Sequence, residues 1–342
     1  MKKRFLLIIL FLFNVNCLFS QISKVHYIPP VTSNSGSIAD QYIYLSTPSE
    51  ADVDYDIQII GGGTISGTFN NTSPYRYDIG NGNNTQLTVN SNLSASVINN
   101  RGYIITASCP IYVSVRYNAG FQGGAFTSKG TAGLGTHFRT AMMPMGDRTT
   151  AVQQNDFLSY VSIMATEDNT IINATFPNAN GSSNLLNIGG VGGLPLKVDL
   201  MKGESYIYAV EATQSNNTNN RFALFGALIQ SVDENANEDP TKPIAITVGS
   251  SNGTFAQSSN GRDQGVDQIV PVEKVGHEYI FVRTAGNNDF ENVILVADKN
   301  NTEIYLNDQT SVYETLNAGD FVIIEGDKYS ATGIGANMYV RT

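Results

Sequence analysis

The residues with the clearest potential for chemistry form one acidic stretch, Asp233-Glu234-Asn235-Ala236-Asn237-Glu238-Asp239. Its oxygen-bearing side chains at alternate positions are Asp233, Asn235, Asn237 and Asp239, which an extended chain presents on one side. Hard cations such as Ca²⁺ take oxygen ligands of this kind. An EF-hand loop needs Gly at its sixth position and Glu at its twelfth, and this stretch has neither. We therefore predict a Ca²⁺ site here, the alternative being a solvated acidic connection between two strands.

Catalytic chemistry has little support in the sequence. The three histidines, His26, His137 and His277, lie far apart along the chain. His137 and His277 fall near predicted unit starts, where each is expected to hydrogen-bond to a loop. No metalloprotease, nucleophile-elbow, β-lactamase or phosphate-loop motif is present. We predict no catalytic residues and no cofactor-binding residues, so the chain is not expected to be an enzyme. The alternative is a carbohydrate-active enzyme whose carboxylate pair is brought together only by folding.

Binding has more candidate residues than catalysis. Four tyrosines, Tyr75, Tyr77, Tyr112 and Tyr117, are expected on the surface, where rings stack on sugars or anchor a protein partner. The alternative is that they lie across a sheet with their hydroxyl groups in water. Three further polar residues, Asp263, Asp267 and Gln268, precede a predicted strand at Ile269–Val272 and are expected to bond to loop backbone.

The first twenty residues are typical of a secretory signal peptide. Lys2-Lys3-Arg4 precedes an apolar run, Phe5–Phe13, which is too short to span a bilayer, and cleavage is predicted after Ser20. Cys17 would be the lipid-bearing cysteine of a lipoprotein, but the large polar residues before it disfavour that reading. Cleavage leaves Cys109 as the single cysteine, expected to be a buried and inert thiol. The predicted location is secreted or cell-surface.

Composition limits the fold and the partners. Charged residues make up 15% of the chain, and turn formers, β-branched residues and aromatic residues fill the difference, which favours an all-β protein. The net charge of −10 leaves no basic stripe for a phosphate backbone, so we exclude nucleic acid as a partner. No apolar stretch is long enough for a transmembrane span.

Two segments of the chain follow the same pattern. Leu158–Phe176 and Phe290–Tyr305 each contain an apolar run, an Ala, a polar turn ending in Asn-Thr and a second apolar run. The pattern predicts a hairpin, with core residues at Val161, Ile163, Ile207, Ile244 and Ile246. Asp168, Asn169, Asn300 and Asn301 are the predicted turn residues.

Prolines mark the same repeat. Pro29, Pro144 and Pro271 each follow apolar residues at a predicted unit start, while Pro110 and Pro243 each open a predicted closing strand. The predicted organisation is a signal peptide at 1–20 and β units at 21–136, 137–264 and 265–342. A Gly-rich segment, Gly120–Gly135, links the first two units as an ordered loop. The third unit has no Pro-Ile closing strand, which predicts an incomplete sheet with a free edge.

Several motifs resemble the N-terminal domain of the IgG Fc-binding protein family. They are A-T-E-D-N-T at Ala165–Thr170, G-E-S-Y at Gly203–Tyr206, K-P-I-A-I at Lys242–Ile246 and D-Q-I-V-P-V-E-K-V-G-H-E-Y at Asp267–Tyr279. The leader and the Asn-rich loops are similar to those of Bacteroidota cell-surface members of that family. The resemblance implies an adhesin-like protein in which such a domain precedes further domains.

We therefore predict an all-β fold of tandem antiparallel β-sandwich-like units, with a β-propeller as the alternative. The predicted function is a non-catalytic extracellular binding or adhesion module, the N-terminal part of a larger cell-surface protein. Its expected partner is an extracellular glycan or glycoprotein surface, with edge-strand pairing to further domains of the same protein. A structural spacer is the other alternative.

Overall fold

The computed structural model describes residues 22–32, 37–120, 122–145, 158–178, 185, 196–211, 220–255 and 263–342. In these residues the chain is all-β, and its described helices are 3-10 turns of three or four residues: Ser91–Leu93, Gly130–Gly133, Val272–Lys274 and Gly326–Lys328. Apart from one short parallel pair, every described strand pairing is antiparallel. The strands fall into sandwich-like groups, and the described residues contain no ring of propeller blades.

The strands form three groups along the chain. The first strand group comprises β1 (Ser23–Ile28), β2 (Val31–Thr32), β3 (Ile38–Ser46), β4 (Val53–Ile59), β5 (Thr64–Phe69), β6 (Tyr75–Gly80), β7 (Thr88–Val89), β8 (Val97–Ile98), β9 (Tyr103–Ala119) and β10 (Gln122–Thr127). After β11 (Leu134–Gly135), the second comprises β12 (His137–Arg139), β13 (Leu158–Ala165), β14 (Thr170–Thr175), β15 (Lys197–Leu200), β16 (Ser205–Glu211), β17 (Leu228–Val232), β18 (Ile244–Gly253) and β19 (Asp263–Gln268). The third comprises β20 (Glu278–Val282), β21 (Val293–Val296), β22 (Thr302–Leu306), β23 (Glu314–Leu316), β24 (Phe321–Ile324) and β25 (Asn337–Arg341).

The three groups share one strand topology. What we call the A-sheet has the order β1-β9-β4-β5 in the first group, β12-β17-β14-β15 in the second and β20-β25-β22-β23 in the third. What we call the B-sheet has the order β10-β9-β3-β6 in the first group and β19-β18-β13-β16 in the second. Among the described strands, the B-sheet of the third group contains β21 and β24 alone. The long strand β9 runs through both sheets of the first group, which makes them one nearly closed, barrel-like sheet.

The two related segments repeat even their turn contacts. Asn169 and Asn301 both adopt the left-handed conformation (φ 56° and 58°), which Asn tolerates better than most residues. The Ala165 N–H donates to Glu204 O at 3.0 Å, as the Ala297 N–H donates to Asp320 O at 3.0 Å. The two segments thus make the same backbone hydrogen bonds at matching positions.

The hairpin prediction for these segments is wrong. Strand β13 pairs with β16 and β18, whereas β14 pairs with β15 and β17, so the two strands lie in opposite sheets. The same holds for β3 and β4, and for β21 and β22. The polar turn therefore carries the chain across the sandwich, which lets both strands bury apolar residues in one core.

The predicted core residues are confirmed. Val161, Ile163, Ile207, Ile244 and Ile246 are all fully buried. Strand β16 is buried on both faces: Tyr206 and Tyr208 face the core of the second group, while Ile207 packs into the core of the first. The predicted turn residues Asp168, Asn169, Asn300 and Asn301 also lie in turns.

The corner between the two sheets corrects the prediction for Cys109. Its thiol is exposed, because β9 changes pairing partners at this point and the corner residues have no covering strand. Pro110 consequently lies inside β9 instead of opening a strand. In the second group the corner is the acidic stretch, and Pro243 directly precedes β18.

Adjacent groups pack A-sheet against B-sheet. Tyr27, Ile60 and Ile104 of the first group contact Met164 and Ala245 of the second. At the next junction Phe321 of the third group lies 5.3 Å from Phe222 and 5.0 Å from Phe225, measured between ring centroids. Each junction therefore covers the outer face of the following group's B-sheet.

Three further expectations are affected by the structure. Gly120–Gly135 is not simply an ordered loop, since it contains the strands β10 and β11 and the 3-10 turn Gly130–Gly133. The predicted strand at Ile269–Val272 is wrong, because β19 ends at Gln268 and Val272 begins a 3-10 turn. The predicted signal peptide and Cys17 lie outside the described residues, and the boundaries 21–136, 137–264 and 265–342 stay a prediction.

Candidate binding face

The outer face of the first group's B-sheet carries an ordered set of aromatic and basic side chains. Alternation along β3 buries Ile43 and Leu45 in the core and points Tyr42 and Tyr44 outwards. Strand pairing then places Arg76 of β6 and Ser114 of β9 on either side of Tyr44, and Arg116 beside Tyr42. We call Tyr42, Tyr44, Arg76, Tyr112 and Arg116 the Tyr/Arg face.

The side chains of this face are held in place by one another. The guanidinium carbon of Arg76 lies 4.6 Å from the Tyr42 ring centroid, and that of Arg116 lies 5.5 Å from the Tyr44 centroid. The two tyrosine rings meet edge to face with centroids 6.0 Å apart. Each cation–π contact between an arginine and a tyrosine ring contributes about 0.5–1 kcal/mol at an exposed site. In the described part of the chain neither arginine forms an ion pair, so both keep donor capacity for a partner.

The Tyr42 hydroxyl is uncharged at physiological pH. Partial desolvation, together with the carboxylates of Asp40 and Asp78, raises the pKa of Tyr42 above its usual value. The hydroxyl therefore remains a hydrogen-bond donor at physiological pH. Beside the face, a shallow depression of about 450 Å³ is lined by Arg116, Phe126, Lys129 and Asp267 among others. It extends the face towards β19.

The equivalent B-sheet faces of the other groups are covered. Ala245 of β18 pairs with Met164, and both are buried against the first group. Tyr112 occupies the position of Ala245 in the first group, and 40% of its surface is exposed. Among the described residues, the first group's B-sheet is thus the one that no neighbouring group covers.

Three of the four tyrosines predicted on the surface are buried or half-buried. Tyr112 is exposed as expected. The prediction is wrong for Tyr117, which is buried, and for Tyr75 and Tyr77, which are half-buried against the first group's core. Tyr42 and Tyr44 were missed, although the alternation in Gln41-Tyr42-Ile43-Tyr44-Leu45 already put both rings on one side.

The acidic stretch forms the tight loop between β17 and β18. The Asp233 carboxylate accepts hydrogen bonds from the backbone N–H of Asn237 (2.9 Å) and of Asn235 (2.8 Å), and its pKa is lowered by these bonds and by the Asn237 side chain. Asp239 instead accepts from Thr241. The structure therefore brings Asp233 and Asn237 together. No described cluster of three or more His, Cys, Asp or Glu side chains could hold a metal; Ca²⁺ binding, which also invokes asparagines, stays a prediction.

The three histidines have separate surroundings. His26 is fully buried, with Nε2 at 3.1 Å from both Ser23 O and Ile111 O. Desolvation lowers its pKa to about 4, against the opposing effect of those two carbonyl groups. His137 and Arg139 both bond to Asp298, at 2.8 and 2.9 Å, across the junction between the second and third groups. His277 is exposed.

Asp263, Asp267 and Gln268 join the first two groups. Asp263 accepts a hydrogen bond from the Gly123 N–H at 2.8 Å, and Asp267 pairs with Lys129 at 3.1 Å. The Gln268 side chain accepts from the Lys129 N–H and donates to Tyr27 O. The predicted bond to loop backbone is confirmed for Gln268, whereas the backbone partner of Asp263 lies inside strand β10.

Fold and face together define an all-β protein of stacked sandwich-like units with one uncovered aromatic and basic face. Residues 124–342 match the family described as IgGFc binding protein. Because this match spans more than half of the chain, the protein belongs to the IgGFc binding protein family. The match contains β11 to β25 and all but the first two residues of β10, whereas the Tyr/Arg face precedes it.

No curated protein and no solved structure matches the chain. In the part of the chain that the structure describes, no helix has the length and apolarity needed to cross a membrane.

Proposed function

We propose that the protein is a non-catalytic extracellular binding module that holds a protein or glycoprotein partner on the Tyr/Arg face. The proposal is carried by one observation. The side chains of two tyrosines and two arginines stack on one another, and no neighbouring strand group covers them: Tyr42, Tyr44, Arg76 and Arg116. Tyr and Arg are enriched among the residues that dominate binding energy at protein interfaces. Membership of the IgGFc binding protein family supports a protein partner.

The wider setting is part of the same proposal. The leader-like residues 1–20 support export. The resemblance of the leader and the Asn-rich loops to those of Bacteroidota cell-surface members of the family supports a role in adhesion at such a surface. We also propose that the three strand groups are the domains of this protein. In this proposal they form the N-terminal part of a larger surface protein, whose further domains pair with the free strand edge in the third group.

A binding array with matched variants tests the role of the face. Wild-type protein is applied to immobilised glycans, mucins and immunoglobulin Fc, beside the double variant Tyr42→Ala, Tyr44→Ala. The control is Tyr305→Ala, which removes a tyrosine stacked under Arg341 at 4.2 Å on the third group. Loss of two anchor residues should weaken binding roughly tenfold or more, and the control should bind as wild type does.

Two results would overturn this function. Equal binding by the wild type and the double variant would remove the Tyr/Arg face from the binding surface. Turnover of any glycan on the array would show that the module is an enzyme. Absence of binding to every probe would favour the spacer instead.

A further inference from the structure

Strand β21 has one described neighbour where its equivalents have two. Strand β3 lies between β6 and β9, and β13 lies between β16 and β18. Strand β21 pairs with β24, and no described strand pairs with its other edge. Both equivalent edges are filled in the antiparallel sense, by the second half of β9 and by β18.

The free edge also leaves the core of the third group partly open. Leu295 pairs with Val322 as Ile163 pairs with Tyr206, so Leu295 is the counterpart of Ile163. Ile163 is fully buried, whereas Leu295 and Val322 are half-buried. In the second group the cover is supplied by Ile246, which stands opposite Ile163 on β18. The third group lacks that side chain.

Backbone groups on this edge are oriented to accept a strand. The Ala297 N–H donates to Asp320 O and the Ala297 C=O accepts from Gly319, so Ala297 faces β24. Antiparallel strands alternate this orientation from residue to residue. The backbone N–H and C=O groups of Ile294 and Val296 therefore point to the free edge.

We infer that the free edge of β21 binds a single antiparallel β-strand of the β18 type, with apolar side chains at alternate positions. Its central apolar residue stands opposite Leu295, as Ile246 stands opposite Ile163, and closes the core of the third group. This inference rests on the proposed pairing with further domains and names the chemistry of the segment that pairs. The recognition is strand addition, in which main-chain bonds give affinity and alternate side chains give register.

The probe is a peptide of residues 241–251, which includes β18 from Ile244 to Ser251. Fluorescence anisotropy should show saturable binding to the whole protein, and the peptide should raise the melting temperature by mass action. A peptide with serine replacing Ile244, Ile246 and Val248 should bind at least about tenfold more weakly, because it has lost the three apolar side chains that would be buried. Equal binding of the two peptides would overturn the inference.

A proline variant identifies the edge. Val296→Pro removes one N–H that points to the free edge and should abolish peptide binding while leaving the bonds of Ala297 intact. The control, Val282→Pro, removes an N–H from the edge of β20, whose equivalents β1 and β12 also have one neighbour. Peptide binding by the control and not by Val296→Pro supports the inference, and the serine peptide decides the case if Val296→Pro does not fold.

Two further measurements distinguish peptide binding at the β21 edge from self-association and from binding at the Tyr/Arg face. Concentration-dependent dimers that disappear in Val296→Pro, without peptide binding, would mean that a second copy occupies the edge and would overturn the proposed occupant. The Tyr42→Ala, Tyr44→Ala variant should bind the peptide as wild type does. A failure of the Tyr/Arg face in the array therefore leaves this test intact.

Discussion

At the scale of single residues, the three strand groups place a different side chain at the position that His26 occupies in the first. Its strand neighbour Ile105 corresponds to Ile229 and Val340, so His26 corresponds to Phe138 and Tyr279 in the other groups. All three side chains face a core. The imidazole is the one that exchanges a proton near neutral pH, and burial makes its protonated form unfavourable.

Acid should destabilise the protein through His26. Its pKa is about 4 in the folded chain against the ordinary value of 6.5, so between these values the unfolded chain binds the proton and the folded chain does not. Stability is therefore retained above pH 6.5 and lost as the pH falls towards 4, by about 2–3 kcal/mol. Denaturant unfolding at about pH 7.5 and about pH 4.5 should show a smaller loss for His26→Phe. His277→Phe, at an exposed position, should keep the wild-type loss; an unchanged loss in His26→Phe would contradict the assignment.

Burial should also separate two isoleucines, one in the central strand β18 and one in the edge strand β20. Ile246→Ala empties a fully buried site and should cost about 2–5 kcal/mol of unfolding free energy. Ile280→Ala, where 72% of the side chain is exposed, should stay within about 0.5 kcal/mol. Urea midpoints measure both, and similar losses would mean that the register of β18 is wrong.

At the scale of elements, the left-handed asparagine turns determine how the chain crosses between sheets. Asn169 and Asn301 sit at matching points of the repeat with nearly the same φ. Asn169→Val should cost about 1–3 kcal/mol, because a β-branched residue is strained in this conformation. Asn169→Gly, which is free of that strain, should be nearly neutral. Thermal unfolding of the two variants compares them, and an equally large loss in the glycine variant would point to a lost side-chain contact instead.

Calcium binding belongs to the loop between β17 and β18. If Asp233, Asn235, Asn237 and Asp239 hold Ca²⁺, millimolar calcium should raise the melting temperature and chelator should reverse the rise. Asp233→Ala should remove the response. The same response in wild type and Asp233→Ala would leave the stretch as a solvated connection.

The sequence patterns predicted which residues share a face of a strand better than they predicted which strands pair with each other. Alternation in β16 identified which residues share a face, since that depends only on neighbouring residues, but it did not show that both faces are buried. Which strands pair depends on contacts distant in sequence. A run such as Val161–Ala174 fits a hairpin and a sheet-to-sheet crossing equally well. Cys109 was misplaced for the same reason, because its exposure follows from the change of partners along β9.

The Tyr/Arg face also depends on strand pairing that the sequence alone does not reveal. Tyr42 and Tyr44 could have been grouped by their spacing, but Arg76 and Arg116 come from two other strands. Only the register of β3 with β6 and β9 brings the guanidinium groups over the rings. The covered state of the other B-sheets, which makes this face distinctive, depends on how whole groups stack.

At the scale of the whole molecule, the junction between the second and third groups is built on close backbone contact. A Cβ atom placed on Gly226, which has φ of 69°, would collide with the backbone of Gly319. Nearby, the Arg139 guanidinium donates to Gly226 O at 3.0 Å and to Asp298. Although burial raises the pKa of Asp298, the bonds from Arg139 and His137 outweigh it, so the pKa is lowered and the carboxylate stays charged.

Gly226→Ala should therefore separate the unfolding of the third group from the rest. Calorimetry of the wild type should show coupled unfolding, and the variant should show an earlier transition, because the two backbones can no longer approach. Gly333→Ala, where an added Cβ meets nothing within 4 Å, is the control. A single unshifted transition in Gly226→Ala would mean that the junction contributes little to cooperativity.

The corner between the sheets has a practical consequence. The first group turns this corner through Cys109 and Pro110, and the second through a loop from Asp233 to Pro243, yet both groups keep the same pairing on either side. Chain length at the corner is thus independent of the sheets that it joins. The tip near Ala236 is accordingly the place to insert an epitope or a fluorescent protein, and the Cys109 thiol is a ready point for a second label.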